Sequence, residues 1–247
     1  MKIKKLEVES VILGQNVFQT EKITDGQIFL KDEPSIISKL KPYYIQCIID
    51  ASDLNAIHSM EDAGFRFVEF RFKKLLDINS FRSVNELSFF PYYIKLITDE
   101  ADFKEAQNMV KSSKSDDRFS KDPIIPPGVS RKRLLAYMKK SYENYPNEFI
   151  YGLFNKNTKE LLAVKSGEMI SPKEVFFYHT ALKKDLDLEK FSSMINSLLI
   201  SQFIEKEIQL FYAVTSGLNL MEMDLHISNL KYKINTASVI LRKIYRS

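Results

Sequence analysis

The stretch that decides the fold runs from Val175 to Val214 and reads VFFYHTALKKDLDLEKFSSMINSLLISQFIEKEIQLFYAV. It begins and ends with segments rich in aromatic and β-branched residues, Val175–Leu182 and Ile208–Val214, which predict two strands. Between them lies the clearest helical stripe of the sequence, formed by Phe191, Met194, Ile195, Leu198, Leu199 and Phe203. This order predicts a crossover between parallel strands, with a ligand crevice at the carboxyl ends of the strands.

The residues on either side extend this crossover into a larger α/β unit. Before it, the pattern predicts strands at Tyr92–Thr98, Glu148–Phe154 and Leu161–Ser166, and helices at Glu100–Lys111 and Leu134–Tyr145. Three prolines in Asp116–Gly128 predict an irregular loop between the two helices. After the crossover, we predict a short helix at Leu218–Ser228 and one or two strands at Tyr232–Tyr245.

The first ninety residues contain a second, smaller pattern of the same kind. We predict a strand at Tyr43–Ile49, a helix that ends at Gly64, and a strand at Phe65–Phe72. A linker without clear periodicity, Leu76–Leu87, separates the two parts. The sequence therefore predicts an α/β (α+β) protein with a mixed, twisted sheet and flanking helices. We expect a small α/β half-domain at residues 1–90 and a larger domain at residues 91–247.

Glycine and cysteine usage excludes several classes of enzyme. The chain has 7 glycines and no GxG, so it lacks the dinucleotide, Walker A, nucleophile-elbow and kinase glycine loops. Cys47 is the single cysteine and lies in an apolar segment, which indicates an inert buried thiol and excludes a cysteine-based zinc site. The three histidines have no metal-ligand spacing, and we therefore expect no metal.

The charge distribution favours neither a nucleic acid nor a membrane as a partner. The 36 basic and 32 acidic residues give a net charge of +4, and the basic clusters are short and scattered. The amino-terminal residues have no apolar segment typical of a signal peptide. The longest nearly apolar stretch, Phe89–Ile97, is about half the length that spans a bilayer. We expect a soluble, cytoplasmic protein.

Two histidines and one loop are candidates for a site, and each has an alternative interpretation. His179 is either a packed strand residue or a residue that lines the crevice. His226 is either a surface residue at the end of a helix, where the helix dipole stabilises a cation, or a functional group. The loop with Asp116, Asp117, Arg118 and Phe119 either contacts solvent or binds substrate, since long loops in compact domains are often functional.

Three further stretches, taken in order with these elements, resemble the GNAT superfamily of N-acetyltransferases. They are ESVILGQNV at Glu9–Val17, AGFRFVEFRF at Ala63–Phe72 and DDRFSKDPIIPPGVSRKRLLAYMKKS at Asp116–Ser141. Within the superfamily they are similar to the subgroup of dTDP-fucosamine acetyltransferase, which modifies an amino sugar nucleotide. The resemblance covers nearly the whole chain and makes residues 91–247 the GNAT-like acyltransferase domain.

The resemblance implies direct attack of an amine on the thioester of acetyl-CoA, the co-substrate, without a covalent enzyme intermediate. In this family the strand at Val175–Leu182 pairs with the pantetheine arm, and the next loop and helix bind the pyrophosphate at free backbone N–H groups. The implied acetyl-CoA contacts are Tyr178, Thr180, Leu182, Lys184, Asp187, Lys190 and Asn219. The implied substrate contacts are Arg118, Phe119 and His179. His226 stands where the family has a tyrosine that protonates the departing thiolate.

The chain departs from the family at the pyrophosphate loop. The family pattern is Q/R-x-x-G-x-G/A, whereas Lys183–Phe191 reads KKDLDLEKF, without glycine and with three carboxylates. Two hypotheses follow. The first is an acetyl-CoA-dependent N-acetyltransferase that acts on a small-molecule amine, such as an amino sugar nucleotide, and forms a homodimer. The alternative is a degenerate, non-catalytic GNAT-like binding module.

Overall fold

The computed structural model describes residues 2–21, 25–81, 89–113 and 117–245. The described residues form one mixed sheet of ten strands, flanked by helices on both faces, which confirms the predicted fold class. Part of the predicted linker Leu76–Leu87, and Asp116 of the predicted loop, lie outside these residues.

The bounds of the elements follow the order of the chain. The strands are β1 Lys2–Lys5, β2 Val17–Glu21, β3 Tyr44–Asp50, β4 Arg66–Asp77, β5 Tyr92–Leu96, β6 Glu148–Asn155, β7 Leu161–Ser171, β8 Glu174–Leu182, β9 Leu210–Ser216 and β10 Lys233–Ile244. The helices are α1 Glu7–Leu13, α2 Gly26–Leu40, α3 Leu54–Asp62, α4 Glu100–Ser112, α5 Arg118–Lys121, α6 Val129–Glu143, α7 Leu188–Ile204 and α8 Leu220–Asp224. A π-turn, Leu225–Asn229, continues α8.

Several of these elements differ from the sequence prediction or decide between its alternatives. Helices α1 and α2 were not predicted, and β4 continues five residues further than expected, into the predicted linker. Residues 233–244 form a single strand, which confirms one of the two alternatives predicted for Tyr232–Tyr245. Helix α5 lies inside the loop that was predicted to be irregular, because Asp117 and Ser120 form a reciprocal capping box around its first turn.

Helices cover the two faces of the sheet in separate hydrophobic clusters. Helix α7, with its predicted apolar stripe, packs on β6–β9. Helices α4 and α6 pack on the opposite face of β6–β8. Helices α2 and α3 cover the sheet at β3 and β10. We call the two faces of the sheet at β6–β9 the α4–α6 side and the α7–α8 side.

The strand order joins the two ends of the chain. The sheet runs β1-β2-β3-β10-β4-β9-β8-β7-β6-β5, so β10 lies between two strands of the first ninety residues. It pairs antiparallel with both β3 and β4, while β4 also pairs with β9. The order strand, helix, strand, helix, strand occurs twice, in β2–β4 and in β8–β10, and each half contributes its last strand to the other. The domain boundary at residue 90 stays a prediction.

The predicted crossover is confirmed, and its two strands separate at their carboxyl ends. Strands β8 and β9 are parallel and are connected by α7. They pair from Glu174 and Leu210 only as far as Phe177 and Ala213, although β8 continues to Leu182 and β9 to Ser216. The sheet therefore opens at this position.

We expect truncation of Leu241 to destabilise the whole fold. Leu241 is fully buried on β10, so Leu241→Ala should lower the free energy of unfolding by about 2–5 kcal/mol. The matched control is Ile234→Ala on the same strand, where the side chain is 48% exposed and the loss should stay below about 1 kcal/mol. Urea unfolding measures both changes. Equal losses in the two variants would contradict the central position of β10.

Candidate active site

The opening between β8 and β9 is part of a cleft of about 970 Å³. Both separated strand ends line it, and so do residues from the α4–α6 side and from the α7–α8 side. Backbone N–H and C=O groups that leave a sheet need other partners. Unpaired strand edges in a cleft of this size fit an extended, amide-containing ligand.

The structure brings most of the predicted site residues to this cleft. Those that line it are Arg118, Tyr178, His179, Thr180, Leu182, Lys184, Asn219 and His226. Asp187 and Lys190 instead line a separate cavity of about 570 Å³, next to the start of α7. Phe119 is 2% exposed and packs beneath the guanidinium groups of Arg118 and Arg133, so it supports the wall rather than facing a ligand.

His226 lies at the α7–α8 side of the cleft and is paired with a buried lysine. It is 1% exposed, which makes the surface interpretation wrong. Its Nδ1 lies 2.6 Å from Nζ of Lys74, which is itself fully buried and also donates a hydrogen bond to Thr215 Oγ1. The sequence analysis missed Lys74. The sequence signal for a buried Lys74 was its spacing on β4, because it lies two residues from Phe72 and two from the buried Leu76 and so shares a face with both.

Burial sets the protonation of this pair. Burial lowers the pKa of Lys74 to about 7. Burial, and next the charge of Lys74, lower the pKa of His226 well below its usual value, so the imidazole is neutral at neutral pH. A charged lysine can only donate hydrogen bonds, so His226 Nδ1 accepts a hydrogen bond from Lys74 Nζ. The proton of the neutral imidazole therefore lies on Nε2.

Two polar atoms at this end of the cleft have no partner among the described residues. They are Nε2 of His226 and the hydroxyl of Tyr232, whose ring stacks on the imidazole at 5.0 Å between centroids. Buried polar groups without hydrogen bonds are rare and costly. The pair therefore presents an N–H donor that is available to a ligand or to water.

A second buried lysine orients the threonine of the opened strand. Lys165 Nζ donates to Thr180 Oγ1 at 2.8 Å, and burial lowers the pKa of Lys165 to about 8. The carboxylate of Glu222 raises the pKa of both Lys165 and Lys74. Lys74 and Lys165 are thus two buried lysines behind the lining of the cleft, with pKa values of about 7 and about 8.

Asn219 lines the cleft, but its side chain forms hydrogen bonds within helix α8. Its Oδ1 accepts a hydrogen bond from the backbone N–H of Glu222 at 3.2 Å, and its Nδ2 donates to Glu222 Oε2 at 2.9 Å. Asn219 is therefore the N-cap of α8 and holds the carboxylate of Glu222 in place. Its effect on the cleft is exerted through that carboxylate.

A side chain of the protein itself also caps the first turn of α7. Asp187 is the N-cap and its Oδ1 accepts a hydrogen bond from the backbone N–H of Lys190 at 2.9 Å. Asp185 has a positive φ of 67°, a conformation that favours glycine. Lys183 forms an ion pair with Glu160. A pyrophosphate at this helix start would have to compete with the Asp187 carboxylate.

Charged side chains dominate the α4–α6 side. Glu69 is 2% exposed and accepts hydrogen bonds from Arg118 Nη1 at 3.0 Å and from Ser216. His179 Nε2 has no partner among the described residues. Burial, and next the charge of Lys165, lower the pKa of His179 to about 4, so this ring is neutral at neutral pH.

Within the residues that the structure describes, no group of three or more His, Cys, Asp or Glu side chains is arranged to hold a metal ion. In the same ranges, no helix is both long and apolar enough to cross a membrane.

Comparison with solved structures identifies the fold. The chain is similar to a GCN5-related N-acetyltransferase from Sphaerobacter thermophilus, with a TM-score of 0.68 and 10% identity over 99% of this chain and 76% of that one. It is also similar to a GCN5-related N-acetyltransferase from Kribbella flavida, with a TM-score of 0.61 and 8% identity over 92% of this chain and 81% of that one. These matches establish the GNAT fold.

A third structure is a tandem GNAT protein from the clavulanic acid biosynthesis pathway, with a TM-score of 0.58 and 10% identity over 94% of this chain and 76% of that one. No protein-family model and no curated protein matches the sequence. The resemblance to the amino sugar nucleotide subgroup stays a prediction.

The lowered pKa of Lys74 predicts that stability rises with pH. Between about pH 7 and pH 10.5 the unfolded state binds more protons at Lys74 than the folded state, so alkalinisation favours folding. From pH 7.0 to 8.5 we expect a gain on the order of 1 kcal/mol per pH unit from this lysine. Urea unfolding of the wild type and of Lys74→Met should show a smaller gain in the variant. The control is Lys73→Met, on the opposite face of β4, and an unchanged gain in Lys74→Met would contradict the assignment.

Proposed function

We propose that the protein is an acetyl-CoA-dependent N-acetyltransferase that acts on a small-molecule amine. One observation carries the proposal: the GNAT sheet opens between β8 and β9 beside a buried Lys74–His226 pair with an unpartnered N–H donor. The same GNAT fold occurs in structures described as N-acetyltransferases.

The opened strands support binding of the pantetheine arm. The arm is a chain of amides, and the free edge of β8 at Tyr178–Leu182 offers backbone partners spaced for such a chain. The hydroxyl of Thr180, held by Lys165, adds a fixed polar group at this edge. In this arrangement the thioester lies between the two strands, accessible to an amine from the α4–α6 side.

The Lys74–His226 pair supports protonation of the leaving thiolate. The amine nitrogen attacks the thioester carbon, the C–N bond forms, the C–S bond breaks, and the nitrogen loses one proton to water, which replaces the proton that Lys74 gives up. His226 gives the proton of Nε2 to sulfur, and its Nδ1 takes a proton from Lys74 Nζ. This role differs from that of a freely titrating histidine, because the low pKa keeps His226 neutral and makes Lys74 the proton source.

Acceptor contacts on the α4–α6 side are Arg118 and His179, with Phe119 as a support beneath Arg118. A neutral His179 is able to accept a hydrogen bond from the amine. The support for an amino sugar in particular is the resemblance of Glu9–Val17, Ala63–Phe72 and Asp116–Ser141. A homodimer likewise rests on the sequence analysis alone.

Replacement of His226 should reduce turnover without loss of acetyl-CoA binding. His226→Gln keeps a polar side chain but cannot relay a proton, so we expect kcat to fall by about 10²–10⁴-fold. The assay detects free CoA thiol with a panel of primary amines, and thermal shift with millimolar acetyl-CoA measures binding. The control is His58→Gln, because His58 is an exposed residue of α3. No turnover with any amine and no thermal shift in the wild type would refute the proposal.

Removal of the Asp187 charge should strengthen acetyl-CoA binding. Asp187→Asn retains an N-cap side chain but removes a negative charge from the expected position of the pyrophosphate. We expect the Kd for acetyl-CoA to fall about 3- to 10-fold and the Kd for acetyl-pantetheine, which lacks the pyrophosphate, to stay constant. Glu205→Gln, at the other end of α7, is the matched control. An equal change for both ligands would show that the pyrophosphate does not bind at this helix start.

The second candidate is a GNAT-like module that binds a ligand without acyl transfer. The glycine-free loop and the self-capped start of α7 favour it. It predicts a thermal shift with acetyl-CoA or an amine but no release of CoA. Turnover that is abolished in His226→Gln would exclude this candidate.

A further inference from the structure

Arg71 lies in the wall of the cleft without a counter-ion. It is a partly buried residue of β4, in register with Ser216 at the opened end of β9. Among the described residues, no side chain or backbone group forms a hydrogen bond or an ion pair with its guanidinium group. A guanidinium remains charged in proteins, and a charge that is partly removed from water is unfavourable without a partner.

The carboxylate nearest to Arg71 in the sequence is already used. Glu69, two residues earlier on the same face of β4, is bound by Arg118 and Ser216. Arg133, another arginine of the cleft, is held by Glu9 at 2.7 Å. The charged groups that act on Arg71 are therefore two cations and one neutralised anion. Among the described arginines of this wall, Arg118 and Arg133 each have an ion pair, with Glu69 and with Glu9 and Asp117, whereas Arg71 has none.

Two more nitrogens of the same wall have no partner among the described residues. One is Nε of Arg118, whose side chain is otherwise tied to Glu69 and stacked on Phe119. The other is Nε2 of His179. Three nitrogen groups with free hydrogen-bonding capacity, two of them on guanidinium groups, thus line one side of one cleft. Native structures rarely leave such groups unsatisfied unless a ligand or water binds there.

We propose that Arg71, assisted by Arg118, binds an oxyanion group, a carboxylate or a phosphate, that the acceptor amine carries. The inference rests on the proposed function, because it places the acceptor on the α4–α6 side. A guanidinium binds either oxyanion through two parallel N–H···O bonds. The acceptor class is therefore an amine with an anionic substituent, such as an amino acid or an amino sugar phosphate, rather than a simple amine or polyamine.

The test uses the full chain and four matched pairs of amines. The phosphate pairs are glucosamine 6-phosphate with glucosamine and O-phosphoethanolamine with ethanolamine. The carboxylate pairs are tyrosine with tyramine and 5-aminovalerate with pentylamine. Calorimetry without acetyl-CoA gives the affinity of each compound, and release of CoA thiol gives kcat/KM. The variants are Arg71→Gln, Arg71→Lys and, as the control, Arg66→Gln, an exposed position on the same strand.

We expect the anionic member of at least one pair to bind 10-fold or more tightly than its neutral partner. Arg71→Gln should abolish this preference, Arg71→Lys should retain part of it, and Arg66→Gln should leave it unchanged. The thermal shift with acetyl-CoA should be the same in all variants. The pair that shows the preference identifies the oxyanion as a phosphate or a carboxylate.

The inference and the proposed function can fail separately. Absence of a preference in every pair, or a preference that survives in Arg71→Gln, would overturn the inference even if acetyl transfer is detected. A preference that depends on Arg71, without acetyl transfer to any amine, would retain the anion site and reject the transferase.

Discussion

The site depends on the point at which β8 and β9 cease to pair. Up to Phe177 and Ala213 the two strands belong to one continuous sheet, and beyond these residues both continue without each other. The helix between them packs its apolar face on the paired part, so the strands are held together at one end and apart at the other. Each unpaired backbone group inside the protein would cost free energy comparable to a lost hydrogen bond. A bound amide chain would remove that cost, and for this reason the opening favours a pantetheine-type ligand.

The buried lysines next to this opening are unfavourable for stability, and the proposed function gives one of them a role. Burial of an amine without an ion pair lowers its pKa and destabilises the charged form. Lys74 and Lys165 both show this shift, and the charge of one carboxylate, Glu222, acts on both of them. Replacement of buried charged groups by apolar residues of similar volume is often neutral or stabilising in proteins. A group that is half-charged at neutral pH is instead suited to proton transfer.

The sequence predicted what depends on local pattern and missed what depends on distant pairing. The stripe on α7 and the apolar strands around it indicated the parallel crossover, and the crossover indicated where the cleft lies. The position of β10 between β3 and β4 could not be predicted, because it joins residues almost two hundred positions apart whose only shared signal is β-propensity. Helix α2 was missed in part because Pro34 lies inside it, where a proline usually argues against a helix.

The predicted site residues divide in the same way. The resemblance singled out His226, but its buried partner Lys74 comes from a strand of the other half of the chain. The roles of Asp187 and Asn219 as helix caps follow from local chemistry, since aspartate and asparagine before an apolar run are common N-caps. Local capping therefore explains why these two side chains are less available to a ligand than the resemblance implies.

Strand β4 contributes side chains to both sides of the cleft, because successive side chains of a strand alternate between the two faces of the sheet. Side chains on successive residues of a strand point to opposite faces, so Glu69 and Arg71 face the α4–α6 side while Lys74 faces the α7–α8 side. A register shift of one residue between β4 and β9 would exchange these faces. It would bury Arg71 against α7 and place Lys74 near Arg118, which would remove the proposed proton source and add a further cation to the acceptor side. The pairing of β4 with β9 on one edge and β10 on the other prevents that shift. The exchange of strands between the two halves therefore does more than close the sheet, because it fixes Arg71 and Lys74, the proposed acceptor charge and the proposed proton source, on opposite sides of one opening.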